Sequence, residues 1–342
     1  MQRRTLIMTG AAAPLVGAPV GGGPAGGCGD TVVWKPIVPA PVGVPALDGH
    51  TDTVPDIVGR LGVPIDLAIF TEGNHFPALL GGDIIEPFRN WARTPPRSAG
   101  QAFDNIVVVT LPQPMIVGML LGHGIAFGNM TLAVSRASGF YPDIVMGGAA
   151  PLVRLRQAAI VTGDARVFAR NLGLSLLVAA GNPLAIHRLE DLEGTGIRVV
   201  LASENEPGAR SQYISALDAL LGKEATRAIL ARETVAFPGR LGIQHRDVLQ
   251  AIATGKADVG VIVHHLARYF AATYPQHCAM VTVPGAERLS STIALAAVAD
   301  PLRAQAAQAF SEFFFGVARE VYPRYGFASM SDTEFGAIVR LE

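Results

Sequence analysis

The sequence predicts an α/β protein of two lobes, each a largely parallel sheet flanked by helices. From residue 64 onward, short apolar runs bounded by turn residues alternate with helical patterns, as expected of strands that each feed a helix. The alternation runs to the segment VFARN at 167–171 and then begins again. A chain of 342 residues, half of them apolar, is long enough for two cores of ordinary size.

In the first series, PIDLAIF reads as a buried strand ending at Thr71, followed by the loop TEGNH at 71–75. Leu80, Ile84, Phe88 and Trp91 then fall on one helical stripe, weakened early by Gly81-Gly82. NIVVVTL at 105–111 is the next strand. Its loop carries Pro112, Gln113 and Pro114 and leads to a helix over 115–121. Residues 130–134 and 142–147 are further strands, the second closing at Gly147-Gly148. LVRLRQAAIV is read as a helix.

In the second series, LGLSLLVA and GIRVVLA are strands, with LEDLEG between them as a short helical turn. Residues 208–221 form a helix closed by Gly222, and 247–254 a helix closed by Gly255. DVGVIVHH reads as a strand ending in His264 and His265, whose side chains then point to opposite faces. AMVTVP and TIALAAV are two more strands. Asp300-Pro301 supplies an N-cap and first-turn proline for a helix with Leu302, Ala306, Phe310, Phe313 and Val317 on its apolar stripe. A turn at Gly326 precedes the tail.

The opening MQRRTLIMTGAAAPLVG has a basic start and a short apolar run, the order of an export signal. Arg3 and Arg4 suit a twin-arginine signal, and the apolar run is shorter than the roughly 20 residues that span a bilayer. Residues 1–30 are therefore read as signal and Gly-rich linker, with ordinary cleavage preferred over a lipid anchor at Cys28. Residues 31–63 are read as a Pro-rich extended lead-in. A net charge of -1 offers no field for nucleic acid. Cys28 and Cys278 make no disulfide framework and have no partners at metal-ligand spacing, and no cofactor is expected.

Polar loops gather at the predicted carboxyl ends of the strands: TEGNH, LPQP, Gly147-Gly148, SENEPG at 203–208, and His264-His265. That edge is where open α/β sheets bind ligands.

Three segments resemble the molybdate/tungstate-type periplasmic solute-binding proteins of ABC transporters. They are VFARNLGLSLLVAAGNPLAIHRLEDLEGTGIRVVLASENEPGAR, IATGKADVGVIVHHLARY, and 306–316 with Gly326-Phe327. The resemblance covers 142–328, and more weakly 64–141. It implies a type II periplasmic binding protein-like fold, with lobe one at 64–170 plus 290–342 and lobe two at 171–289. Crossing strands near 170–178 and 285–296 would form a hinge. It further implies a monomeric, non-enzymatic periplasmic protein that captures a small polar solute, such as molybdate or tungstate, and delivers it to a membrane permease.

Carried onto this chain, the pocket candidates from lobe one are Thr71, Glu72, Asn74, His75, Gln113 and Gly147. From lobe two they are Ser203, Glu204, His245, Arg246 and His264, with Arg210 for a ligand bearing a carboxylate or oxyanion. The chain departs from the family pattern in three places. The first strand ends in TEGNH rather than a serine-rich loop. Glu204 and Glu206 stand beside Ser203, and His264-His265 replace the usual tyrosine. Carboxylates near an anion repel it, so these departures also suit a cationic, zwitterionic or hydroxyl-rich solute or a metal chelate. Two alternatives follow: a metal-assisted hydrolase using Glu72, His75 and His264, or a periplasmic ligand sensor.

Overall fold

A computed structural model describes residues 57–94, 102–127, 130–202, 204, 206–234 and 244–342. In chain order its first part runs β1 (Ile57–Val58), β2 (Leu67–Thr71), α1 (Phe76–Leu80), α2 (Ile85–Ala92), β3 (Ile106–Val109) and α3 (Gln113–Leu121). Then come β4 (Gly124–Phe127), β5 (Met130–Ala133), β6 (Ile144–Gly147), α4 (Ala149–Gln157) and β7 (Val161–Arg170). The middle holds β8 (Leu174–Ala179), β9 (Val199–Val200), α5 (Pro207–Leu221), α6 (Lys223–Leu230), α7 (Gln244–Ala253), β10 (Val259–Val263), α8 (His264–Thr273) and β11 (Cys278–Thr282). The chain closes with β12 (Thr292–Val298), α9 (Ala304–Arg324) and β13 (Ile338–Arg340).

Two main sheets result. The first has the order β1-β3-β2-β6-β12-β7-β13 and the second β11-β8-β10-β9, while β4 and β5 pair as a separate hairpin. Both sheets are mixed rather than largely parallel. Parallel pairing is confined to β3-β2-β6 in the first and to β10-β9 in the second. The remaining pairs are antiparallel: β1-β3, β6-β12, β12-β7 and β7-β13 in the first sheet, and β11-β8 and β8-β10 in the second.

The sequence of β2 explains its central place. LAIFT is buried along its whole length, and successive side chains serve different cores. Leu67 and Ile69 join Phe88 of α2 and Phe310, Phe313 and Phe314 of α9 on one face. Ala68 and Phe70 join Ile116, Val117, Leu152 and Leu155 of α3 and α4 on the other. The second sheet has its own core, built from β8 and β10 with Tyr213, Leu217, Val248, Leu249, Leu266 and Phe270.

The chain passes between the sheets twice, from β7 to β8 and from β11 to β12. The two passages touch. Gly173 has φ +70°, and a Cβ there would lie 1.9 Å from the carbonyl oxygen of Ala286. Only glycine satisfies both conditions. Aromatic contacts join the two halves as well. Phe76 meets Tyr269 edge to face at 5.0 Å, and His265 stacks on Phe327 at 4.0 Å.

Several local expectations are corrected. The stripe through Leu80, Ile84, Phe88 and Trp91 is split: Leu80 ends α1, Ile84 precedes α2, and Phe88 and Trp91 lie on α2, because the chain leaves helical geometry at Gly81-Gly82, where Gly82 has φ +106°. LVRLRQAAIV is helical only to Gln157; Val161 already opens β7. Asp300-Pro301 does not cap α9. The helix begins at Ala304, and the Arg303 N–H donates to Asp143 Oδ1 at 3.0 Å, so the start is fixed by a distant partner. Leu302 is consequently 42% exposed. His264 and His265 are not on a strand. β10 ends at Val263, and both histidines open α8.

Candidate functional site

A cleft of about 530 Å³ lies where the ends of both sheets meet. From the first sheet it is lined by Glu72 and Asn74 after β2, Gln113 after β3, and Gly148, Ala149 and Ala150 after β6. From the second come Glu206, Gly208, Ala209 and Gln212 around the start of α5, and Val263 and His265 at the start of α8. Asn171, Ser290 and Ser291 line it from the two passages between sheets, and Thr292 and Ile293 from the start of β12.

This placement follows from the topology. β2, β3 and β6 run in parallel, so the loops that leave them emerge on one edge. Four helices, α3, α4, α5 and α8, begin at the cleft. First-turn amides have no acceptor within their own helix, and the helix dipole adds partial positive charge there. Prolines at 114, 151 and 207 carry no N–H, the His264 N–H donates to the Gly173 carbonyl, and the Met115 and Ile116 N–H groups donate to the Pro112 carbonyl, so Ala149, Ala150, Gly208 and Ala209 are the first-turn amides of α4 and α5 at the cleft.

Behind the lining sits a buried polar row. His75 is fully buried, with Nε2 2.5 Å from Thr71 Oγ1 and Nδ1 3.1 Å from the Tyr322 hydroxyl. Burial lowers its pKa to about 3, so the ring is neutral at pH 7. The Tyr322 hydroxyl is pushed well up, first by burial and then by the charge of Glu72. Tyr213 is likewise buried and accepts the Val263 N–H at 3.0 Å. Its pKa is raised well above the usual tyrosine value, by burial first, then by Glu206, with a smaller contribution from Glu72.

The candidates from the sequence divide by position. Glu72, Asn74 and Gln113 line the cleft. Gly147 stands against Gln113, since a Cβ at Gly147 would lie 1.5 Å from the Gln113 Nε2. Thr71 and His75 are buried behind the lining. Arg210 is not directed into the cleft. It makes a two-pronged ion pair with Glu233, 2.7 Å on each side, and donates to the Ala202 carbonyl at 2.9 Å. Glu204 is exposed and does not line the cleft. His264 turns to Ser175, with Nδ1 2.9 Å from its Oγ. Adjacent helical residues point about 100° apart, so His265 rather than His264 reaches the cleft. Ser203 lies outside the described residues, as do the side chains of His245 and Arg246.

Among the described residues, Glu72, His75 and His264 are not grouped as metal ligands. His75 and His264 are engaged with different neighbours. Among the described residues no three His, Cys, Asp or Glu side chains are grouped to hold a metal ion. Asn171, Glu206, Gln212, His265 and Ser291 also line the cleft and stand outside the pocket candidates named from the sequence, although Glu206 and His265 lie in its polar segments SENEPG and His264-His265. Glu206 carried a readable signal, a polar residue just before the proline that starts α5.

Two sheets joined by a double crossover, with polar strand ends gathered at one cleft, define the type II periplasmic binding protein architecture. Residues 124–328 match the family described as bacterial extracellular solute-binding protein, and the chain belongs to that family. It is an extracytoplasmic solute-binding protein of the ABC-transport type. Among curated proteins no sequence match is found.

Solved structures share the fold. The sulfate-binding protein SubI from Mycobacterium tuberculosis is 17% identical with a TM-score of 0.55, covering 79% of this chain and 88% of its own. The periplasmic molybdate-binding protein from Azotobacter vinelandii is 17% identical with a TM-score of 0.52, covering 78% and 100%. Iron-bound HitA from Pseudomonas aeruginosa is 14% identical with a TM-score of 0.51, covering 80% and 89%. These proteins carry different cargo on one scaffold, and at such identity the likeness speaks for the fold alone. Among the described residues, no helix is long and apolar enough to cross a membrane.

Proposed function

We propose that this chain closes its two lobes over one small polar solute bearing an oxygen-rich anionic group, and presents it to a membrane permease. The supporting observation is that four helices from both sheets begin at one cleft. The first-turn amides of α4 and α5 offer hydrogen-bond donors without a full charge, which suits an anion that must later be released. Asn74, Gln113 and Gln212 add neutral amide groups, and Ser290 and Ser291 add hydroxyls. The passages at 171–173 and 283–291 are the hinge of this reading, with 64–170 plus 290–342 as one moving body and 171–289 as the other.

Molybdate and tungstate are the simplest solutes of this description, alongside sulfate and phosphate. Titration calorimetry with these four oxyanions and with small organic acids and phosphate esters tests the reading. Micromolar or tighter binding of one of them, weakened by Gln113→Ala and by Gln212→Ala, supports it. Binding confined to compounds without an anionic group contradicts it. Arg3 and Arg4 are read as a twin-arginine export signal, with the mature chain periplasmic and monomeric. Cell fractionation should recover a shortened chain outside the cytoplasm; a full-length chain held in the cytosol contradicts export.

A further inference from the structure

With a volume of about 530 Å³, the cleft is several times larger than an inorganic oxyanion. A tetrahedral oxyanion displaces roughly 60–90 Å³, two or three waters at ~30 Å³ each. The lobes already touch beside this space. Phe76 lies against Tyr269 of α8, and His265, which lines the cleft, stacks on Phe327; all of these rings are buried. A Cβ at Gly326 would lie 3.2 Å from the His265 Cα, so the backbones meet there as well. The wall that His265 and Leu266 form is therefore seated on lobe one, and hinge closure brings that side no closer.

Much of the lining offers an oxyanion no side-chain donor. Ala149, Ala150, Ala209, Val263, Leu266 and Ile293 have purely hydrocarbon side chains, and they come from both lobes. Ala149 and Ala150 are exposed. An oxyanion leaving water loses hydration on every side, and methyl groups return none of it. A carbon skeleton gains where it covers the same groups. Pockets of roughly 300–1,000 Å³, with mostly apolar walls and a few placed polar groups, are those that hold organic ligands.

We propose that the solute is an organic anion whose carbon skeleton or small ring covers Ala149 and Ala150 from one lobe and Ala209, Val263 and Leu266 from the other. This rests on the reading of the cleft as the site of an anionic solute and adds the class of that solute.

The test is calorimetric titration of the full chain with two series, each of constant charge and growing skeleton. One is methyl, ethyl, butyl and phenyl phosphate, at a pH of about 8 where each ester is a dianion. The other is acetate, butyrate and benzoate. Inorganic phosphate, sulfate and molybdate are measured beside them, and 1-butanol serves as a skeleton without charge. Each methylene buried in the cleft is expected to raise affinity about threefold, hence about 30-fold from methyl to butyl phosphate. Ala150→Leu and Ala209→Leu place carbon where the skeleton lies, in helices that tolerate leucine. Each should weaken butyl or phenyl phosphate by about tenfold or more and methyl phosphate by less than about threefold. The comparison within wild-type protein needs no variant, so it stands even if a substitution impairs folding. Affinity that rises along neither series, an inorganic anion bound at least as tightly as every organic one, or a ranking unchanged in both variants would overturn the organic solute and leave the proposed function intact. Butanol bound as tightly as butyl phosphate, or no anion bound at all, would remove both.

Discussion

Asn171 and Ser291 hold the two passages between the sheets against each other. The Asn171 N–H donates to the Ser291 carbonyl at 3.0 Å, the Ser291 N–H returns to Asn171 Oδ1 at 3.0 Å, and Asn171 Nδ2 donates to Ser291 Oγ at 2.7 Å. Both residues line the cleft, so the clasp that aligns the passages also forms part of the wall. Asn171→Ala removes two of these bonds and leaves the Ser291 N–H without its acceptor. The expected cost is about 1–3 kcal/mol in urea unfolding, with weaker binding of any solute that closes the lobes. Unchanged stability would show that the clasp is not strained by removal of its side chain.

His75 gives a pH dependence with a definite sign. Unfolded, the ring takes a proton near pH 6.5; folded, only near about 3. Between these values the unfolded chain holds more protons, so stability falls as pH falls and is unaffected by this group above about 6.5. The contribution amounts to roughly 3 kcal/mol by pH 4. Urea titrations at pH 7, 5.5 and 4 should show a shallower loss in His75→Phe than in wild type. Equal slopes would mean that His75 is protonated in the folded chain.

Asp143 is fully buried and organises the start of α9. It accepts from the Ala68 N–H at 2.8 Å, from the Arg303 N–H, and from Arg303 Nε at 2.6 Å. The same guanidinium donates to the carbonyls of Gly139 and Tyr141. Asp143→Ala leaves a nearly buried cation without its counter-charge, an expected loss of about 3–5 kcal/mol in denaturant unfolding. A loss below about 1 kcal/mol would place the pair among exposed ones.

How far the sequence reached is clearest where burial is two-sided. LAIFT and VGVIV announce β2 and β10 because both faces of each are covered and the apolar run is unbroken. The start of α9 was illegible because its cap, Asp143, lies 160 residues upstream. The end of β10 is not legible, because an apolar run does not mark where extended backbone gives way to the helix that His264 opens. His265 rather than His264 therefore reaches the cleft; separately, Glu206, directly before α5, lines it while Glu204 does not. Asn171 and Ser291, 120 residues apart, share a wall only because the chain crosses between sheets twice, which no local pattern encodes.

Gly147 reports on the placement of Gln113. A methyl group there would occupy the position of the Gln113 amide nitrogen, so Gly147→Ala must push that side chain aside. Gln113 is long and able to move, so little stability should be lost. Solute affinity is expected to fall about as far as in Gln113→Ala, and the double variant should be no worse than either single one. Additive losses would mean that Gln113 does not contact the solute from the position seen here.

The central claim, that the cleft between the sheets holds one small solute, is tested most directly by native mass spectrometry. The protein should be purified from the extracytoplasmic fraction without refolding. The expected spectrum shows a single small adduct per chain that disappears in the Gln113→Ala, Gln212→Ala double variant. A bare chain, or an adduct that survives the double substitution, would contradict it.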